Sequence, residues 1–145
     1  MMDLMYGDKG GSTAVLGALE GTIELQIKKN IIFCCGFAEN AIGSKAYKPN
    51  DILRAMNGLS VVVGNTDAEG RLVMGDVMTY VQRNYNPNRV AYIATLTGAC
   101  MVALGKTTAG LFSSDRNCEV ALGLEEAAKL SREPVWPLPI NDEHR

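Results

Sequence analysis

Residues 59–82 read LSVVVGNTDAEGRLVMGDVMTYVQ, and the fold class is decided here. The stretch opens with an apolar run, Leu59 to Val63, and breaks at Gly64. It then passes through a polar segment bearing Asp67, Glu69 and Arg71. From Arg71 to Gln82 the residues Leu72, Val73, Met74, Val77, Met78 and Val81 recur at helical spacing and predict a helix with one face on a core. Leu59 to Gly64 reads as a strand buried on both faces, because its apolar run is continuous rather than alternating.

The same alternation extends in both directions. Ser12 to Gly21 predicts a helix with Ala14, Val15, Ala18 and Leu19 on one face, and Gly21 can end it. Asn30 to Ala38 holds Ile31-Ile32-Phe33-Cys34-Cys35, a second continuous apolar strand. Pro49 and Asn50 are expected to open a short helix through about Met56, before a turn at Asn57-Gly58. Beyond the central helix, Asn84 to Asn88 reads as a loop, Val90 to Thr95 and Thr108 to Ser113 as strands, and Asp115 to Ser131 as a helix. The tail from Pro134 carries three prolines and the one Trp; it predicts neither helix nor central strand, but a segment packed across a surface. The expected fold is α/β: one domain over residues 1–145, with a partial, mixed or mostly parallel sheet flanked by helices.

Composition narrows the chemistry. The chain has 145 residues, room for about one domain. Its 14 Lys and Arg against 16 Asp and Glu leave a net charge of −2, so no basic surplus exists to collect phosphates and nucleic acid is not an expected partner. The single histidine, His144, stands beside the C-terminus, which rules out a Ser-His-Asp triad, a Cys-His pair or a His-rich zinc site within these residues. Catalysis must then rest on carboxylates, Lys, Arg, Cys or a carboxylate-bound metal. Cys34, Cys35, Cys100 and Cys118 form no Cys-x-x-Cys and read as buried free thiols. The uncharged stretch Val90 to Gly105 is too short and too rich in Thr and Gly for a membrane helix. Met1-Met2-Asp3 lacks the basic and apolar regions of a signal peptide, so the expected location is cytoplasm or an organelle matrix.

Ligands of open α/β sheets bind at the carboxyl ends of strands. Three such exits are polar here: Glu39-Asn40, Asn65 to Arg71, and Thr95-Leu96-Thr97-Gly98. Asp67 and Glu69 are two apart, so in an extended segment both project to one side. Such a pair repels unless a cation or proton intervenes, and hard divalent ions and zinc accept carboxylate oxygens. The same acidic turn could instead cap the following helix. Asp8 sits in Gly7-Asp8-Lys9-Gly10-Gly11, where the glycines allow a sharp turn and close approach; it reads either as a third ligand or as an exposed residue of a helix N-terminal turn. Gly105-Lys106-Thr107 resembles the end of a phosphate-binding loop, but Cys100 stands where that loop needs Gly. Cys34-Cys35 point to opposite faces of a strand and read as core packing.

Asn65-Thr66-Asp67-Ala68-Glu69-Gly70-Arg71-Leu72 resembles the signature of the leucyl aminopeptidase (cytosol aminopeptidase) family over all eight residues. Met5 to Gly11, Ala38-Glu39-Asn40, Ala46 to Pro49 with Asp51-Ile52, Ala94 to Ala99, and Glu133 to Trp136 with Leu138-Pro139 resemble further family segments in the same order. The resemblance implies the α/β fold of that family's catalytic domain and a two-metal exopeptidase releasing N-terminal residues such as Leu from peptides. It implies Asp8, Asp67 and Glu69 as ligands of two divalent ions, Zn or Mn, with Glu69 bridging them. It implies Arg71 as the catalytic residue holding a bicarbonate, and Met5, Asn65, Thr95, Leu96 and Gly98 as substrate-binding residues. It also implies a homohexamer.

In the family a metal-binding Lys, a metal-binding Asp and a catalytic Lys lie upstream of the first matching segment, and these residues begin after it. The expectation is therefore an incomplete catalytic domain with very low activity by itself, whose exposed apolar surface docks on missing segments or on other copies. The alternative is a non-catalytic relative serving as a structural or binding subunit. Lys9 replaces the family's usual Met and is expected to bring a positive charge close to Asp8.

Overall fold

The computed structural model describes residues 2–115 and 117–144; the side chains of Met2 and His144 lie outside the described residues. The chain divides into two compact units, one ending at Leu96 and the other beginning at Thr97. The class is α/β, as the sequence predicts, but the sheets are smaller.

In the first unit a 3-10 turn, Met2–Gly7, leads into helix α1, Gly10–Glu24. The half-buried stripe of α1 runs through Ser12, Val15, Leu19 and Thr22, below the buried Gly11. Ala14 and Ala18 are exposed, so the apolar face is rotated from the expected one. Gly21 does not end the helix; it continues to Glu24, and Gln26 then turns the chain with φ +50°.

The short helix expected at Pro49 to Met56 is a strand instead: β1, Ile52–Arg54, pairs antiparallel with β2, Ser60–Val62. Asp51 explains the difference. Its carboxylate accepts the Lys48 amide at 2.8 Å, and its carbonyl accepts the Val63 amide at 2.9 Å. That amide–carboxylate bond turns the chain at Lys48 and delivers Ile52 and Leu53 into the ladder. The expected turn at Asn57-Gly58 forms, with Gly58 at φ +96° and its amide on the Ala55 carbonyl at 2.8 Å.

Helix α2, Gly70–Tyr85, matches its sequence reading: Leu72, Val73, Met74, Val77, Met78 and Val81 are all half-buried. Asn86 closes it in the left-handed conformation at φ +44°. The Asp76 carboxylate on α2 accepts the Met56 amide at 2.8 Å and ties the hairpin to the helix.

Two expected strands do not form. Residues 30–38 and 90–95 carry no strand pairing, and Ile31, Ile32, Tyr92 and Ile93 are 44–55% exposed. A strand exists only through a partner's hydrogen bonds, and apolar content alone supplies none. Both segments nevertheless pack on helices. A side chain on Gly36 would meet Val77 and Val73 of α2 at 2.7 and 2.9 Å, and one on Gly11 would meet the Ile93 carbonyl at 2.3 Å.

In the second unit a short helix that the sequence reading lacked, α3 (Ala99–Leu104), precedes β3, Ala109–Phe112. Helix α4, Glu119–Ser131, then leads to β4, Val135–Leu138, which pairs parallel with β3. The prolines of the tail thus fall in a strand after all, with Pro137 opposite Leu111. A two-stranded sheet consists of edges only, which is where proline is tolerated. Ala121 and Ala128, seven residues apart on α4, are buried. All four cysteines are free and half-buried.

Large buried side chains are scarce: the buried hydrophobic residues among those described are Val63, Ala121 and Ala128. Two separate folded units of these sizes would expose together only about 8,600 Å², whereas the chain exposes 12027 Å². The apolar surface expected to stay open is therefore present in the units themselves. Among the described residues no helix is long and apolar enough to cross a membrane.

Candidate functional site

Asp8 lies between the 3-10 turn and α1, its amide bonded to the Met5 carbonyl at 3.0 Å. Its carboxylate Oδ1 accepts the Thr95 hydroxyl at 2.9 Å, a contact across 87 residues. The neighbouring glycines explain how the loop comes so close. A Cβ on Gly10 would lie 2.9 Å from the Thr95 methyl carbon, and one on Gly11 would strike Ile93 and Ala94 backbone at 2.3–2.9 Å. The Lys9 ammonium turns back to the Tyr6 carbonyl at 3.4 Å, within its own turn, and is exposed.

Asp67 does not sit in an extended segment. Thr66–Ala68 is a 3-10 turn, and Glu69 follows in right-handed helical conformation as the N-cap residue of α2. With about three residues per turn, positions two apart diverge, so the same-side projection expected from strand geometry does not apply. Neither carboxylate caps α2: its N-cap has no side-chain hydrogen bond. Asn65 caps the 3-10 turn instead, its Oδ1 accepting the Asp67 amide at 2.9 Å. Glu69 is half-buried, while Asp8, Asp67 and Arg71 are exposed.

Leu96 joins the two loops. A Cβ on Gly70 would meet Leu96 Cδ2 at 2.5 Å, so Leu96 packs on the peptide between Glu69 and Arg71. Asp8, Thr95, Leu96 and Gly70 therefore form a continuous contact chain within the first unit. Met5 is 38% exposed at the other end of the Asp8 turn. Gly98 belongs to the second unit, where it is the N-cap residue of α3.

The donors fit a hard divalent cation in kind, being carboxylate oxygens. In number they do not close a site: among the described residues no group of three or more His, Cys, Asp or Glu could hold a metal ion. Asp8, Asp67 and Glu69 thus stand as separate donors rather than a finished cage.

Two further groups have shifted protonation. The Cys118 thiol is lowered, first by its contact with the Ser113 hydroxyl and then by the Ala121 amide. It serves as the N-cap of α4, a role the sequence signals through Ser, Thr, Asp or Asn but not through Cys. The Tyr85 phenol is raised by the neighbouring Tyr80, whose ring meets it edge-on at 6.3 Å.

Comparison with known proteins places this arrangement among peptidase catalytic domains. Residues 1–145 match the family described as "Cytosol aminopeptidase family, catalytic domain", and the chain belongs to that family. It is 47% identical over 144 residues to a "Probable cytosol aminopeptidase" of Mannheimia succiniciproducens, covering 99% of this chain and 29% of the relative. Among solved structures it is similar to a tomato leucine aminopeptidase mutant, with TM-score 0.84 and 39% identity over 97% of this chain and 27% of that one. The bottromycin maturation enzyme BotP in complex with Mn aligns with TM-score 0.79 and 30% identity, over 95% of this chain and 30% of that one. The chain spans under a third of the length of each of these proteins.

Proposed function

We propose that these residues form part of the catalytic domain of a metal-dependent aminopeptidase that releases N-terminal residues, such as Leu, from peptides. The observation that carries the reading is the contact chain from Asp8 through Thr95 and Leu96 to Gly70, which joins the family's acidic loops inside one unit. Asp8, Asp67 and Glu69 would hold divalent ions, Zn or Mn. A bound divalent ion supplies Lewis acidity toward the scissile carbonyl and makes water a nucleophile near neutral pH. Arg71, exposed in the first turn of α2, offers a planar cation for a bicarbonate or a developing oxyanion. Met5 offers an apolar surface to the first side chain of the peptide. Thr95, Leu96 and Gly98 would contact the peptide substrate, and Asn65 shapes the loop that carries Asp67.

The whole protein is proposed to be cytoplasmic and to act on peptides as a homo-oligomer, with no nucleic-acid or membrane partner. Open apolar faces such as Ile31-Ile32 and Tyr92-Ile93 support association with other copies or other segments. The absence of a gathered metal group among the described residues favours a second reading, a binding or structural subunit without turnover.

Titration calorimetry with Mn²⁺, and hydrolysis of leucine amide with Zn²⁺ or Mn²⁺ added, separate the two. Mn²⁺ binding lost in both Asp67→Asn and Glu69→Gln supports the metal site. Turnover abolished by Glu69→Gln supports the enzyme, and binding without turnover supports the subunit. Binding unchanged in both variants refutes the ligand assignment.

A further inference from the structure

We infer that Asn57 is a self-modification site: its carboxamide is preset for deamidation by the Gly58 backbone nitrogen, and one hydrogen bond of the hairpin turn is the gate.

Asn57-Gly58 is the one Asn-Gly pair in the sequence, and both residues are exposed. They lie in the three-residue loop between β1 and β2, which the Ala55 amide closes on the Leu59 carbonyl at 2.9 Å. The Asn57 carboxamide is folded along its own chain, its Oδ1 accepting the Leu59 amide at 3.0 Å. The ring closed by that bond contains the Gly58 nitrogen, so Asn57 Cγ is held beside it. The same bond draws electron density from Cγ and stabilises the negative charge that builds on Oδ1 when a nucleophile adds. Nothing crowds the Gly58 side, where even a Cβ would meet no atom within 4 Å. Against these features stands the Gly58 N–H, which donates to the Ala55 carbonyl at 2.8 Å. Attack needs that nitrogen without its proton, so this bond has to open first.

Asn65 is an internal control. Its Oδ1 accepts the Asp67 amide at 2.9 Å, the same bond to the amide two residues on, but Thr66 follows it. The β-branched side chain of Thr66 crowds the nitrogen that would attack. Of these two asparagines only Asn57 combines a preset carboxamide with an uncrowded nitrogen.

In the reaction the Gly58 nitrogen gives its proton to hydroxide and bonds to Asn57 Cγ. The Cγ–Nδ2 bond breaks, and Nδ2 takes a proton from water and leaves as ammonia. Water then opens the resulting succinimide at either carbonyl, to aspartate or isoaspartate. Both products place a carboxylate next to Met56, whose amide the Asp76 carboxylate accepts at 2.8 Å. Isoaspartate also routes the main chain through Cβ, which lengthens the loop that fixes the Arg54–Ser60 register. The modified hairpin feeds directly into the loop that carries Asp67 and Glu69.

The test keeps purified protein at mildly alkaline pH, folded and in urea, and locates by peptide mass spectrometry the gain from replacing NH2 by OH. In urea Asn57 is expected to convert before the other asparagines. In the folded protein it should convert about two- to tenfold more slowly, the factor that one net hydrogen bond supplies. Exchange of the Gly58 amide, followed by NMR, should be slowed by the same factor, since both processes need the same local opening. Asn65 should stay intact in the folded protein while Asn57 converts. Asp76→Ala frees the Met56 amide; it should speed folded-state conversion and Gly58 exchange together and leave the rate in urea unchanged.

No conversion at Asn57 in the folded protein, or earlier conversion at another asparagine, overturns the site. Conversion as fast folded as in urea, with Gly58 exchange still slowed, overturns the gate. Faster Gly58 exchange in Asp76→Ala with unchanged conversion overturns the gate as well.

Discussion

Gly11 and Gly17 occupy the same helix, and the structure predicts opposite signs for the same substitution. At Gly17 a Cβ would meet nothing within 4 Å. Gly17→Ala is therefore expected to stabilise α1 by about 0.5–1 kcal/mol, through the backbone freedom that alanine removes from the unfolded chain. At Gly11 the same Cβ would lie 2.3 Å from the Ile93 carbonyl oxygen, 2.8 Å from the Ala94 Cα and 2.9 Å from the Ile93 carbonyl carbon. Relieving the first contact requires a retreat of about 1 Å, since non-bonded atoms repel steeply inside their contact distance. The obstacles are backbone atoms, so no rotamer change can clear them. Overpacking of this kind costs about 1–3 kcal/mol, and in Gly11→Ala the cost belongs near the top of that range. After the helix gain is deducted, Gly11→Ala is expected to destabilise by about 2 kcal/mol. The two variants should thus differ by about 3 kcal/mol, the overpacking cost itself, in urea denaturation followed by far-UV circular dichroism. Equal stability of the two alanine variants would refute the close packing of α1 on segment 93–94, and with it the geometry that brings Asp8 to Thr95.

Asn65→Ala removes the acceptor of the Asp67 amide; it should cost about 0.5–1 kcal/mol and speed exchange of that amide, and an unchanged rate would discount the cap. Arg132 ends α4 at φ +61°, so Arg132→Gly should raise stability by about 1 kcal/mol in the same urea assay, with a loss showing that its side chain matters more than its backbone. Folding lowers the Cys118 thiol, chiefly through Ser113, so the thiolate form favours the folded state. That contribution is present above the ordinary thiol range near about 8.5 and fades as pH falls through the lowered value. Stability lost in Cys118→Ala should therefore be larger at alkaline than at neutral pH, and alkylation of the folded protein should reach its half-maximal rate at a lower pH than in urea. Coincident alkylation profiles would contradict the shift.

Local pattern was enough to read the three long helices, around Val15, Val73 and Ala121, though not the ends of the first, together with the turn at Asn57-Gly58 and the acidic loop before α2. Each depends on neighbours within a few residues, through helical spacing, glycine conformation or chain polarity. The eight-residue match from Asn65 to Leu72 carried the family. Pairing was not readable, because a strand is defined by a partner distant in sequence. Ile31 to Cys35 and Val90 to Thr95 have the composition of strands yet no ladder, while Ile52 to Arg54 and the proline-bearing Val135 to Leu138 do pair. The site divides in the same way. The kinds of donor at Asp8, Asp67 and Glu69 follow from residue identity, whereas their directions do not. A 3-10 turn at Thr66–Ala68 replaced the expected extended segment, and Lys9 folded back onto Tyr6. The Thr95–Asp8 bond spans 87 residues, and only tertiary packing created it, with Gly10 against the Thr95 methyl and Gly11 against the Ile93–Ala94 backbone.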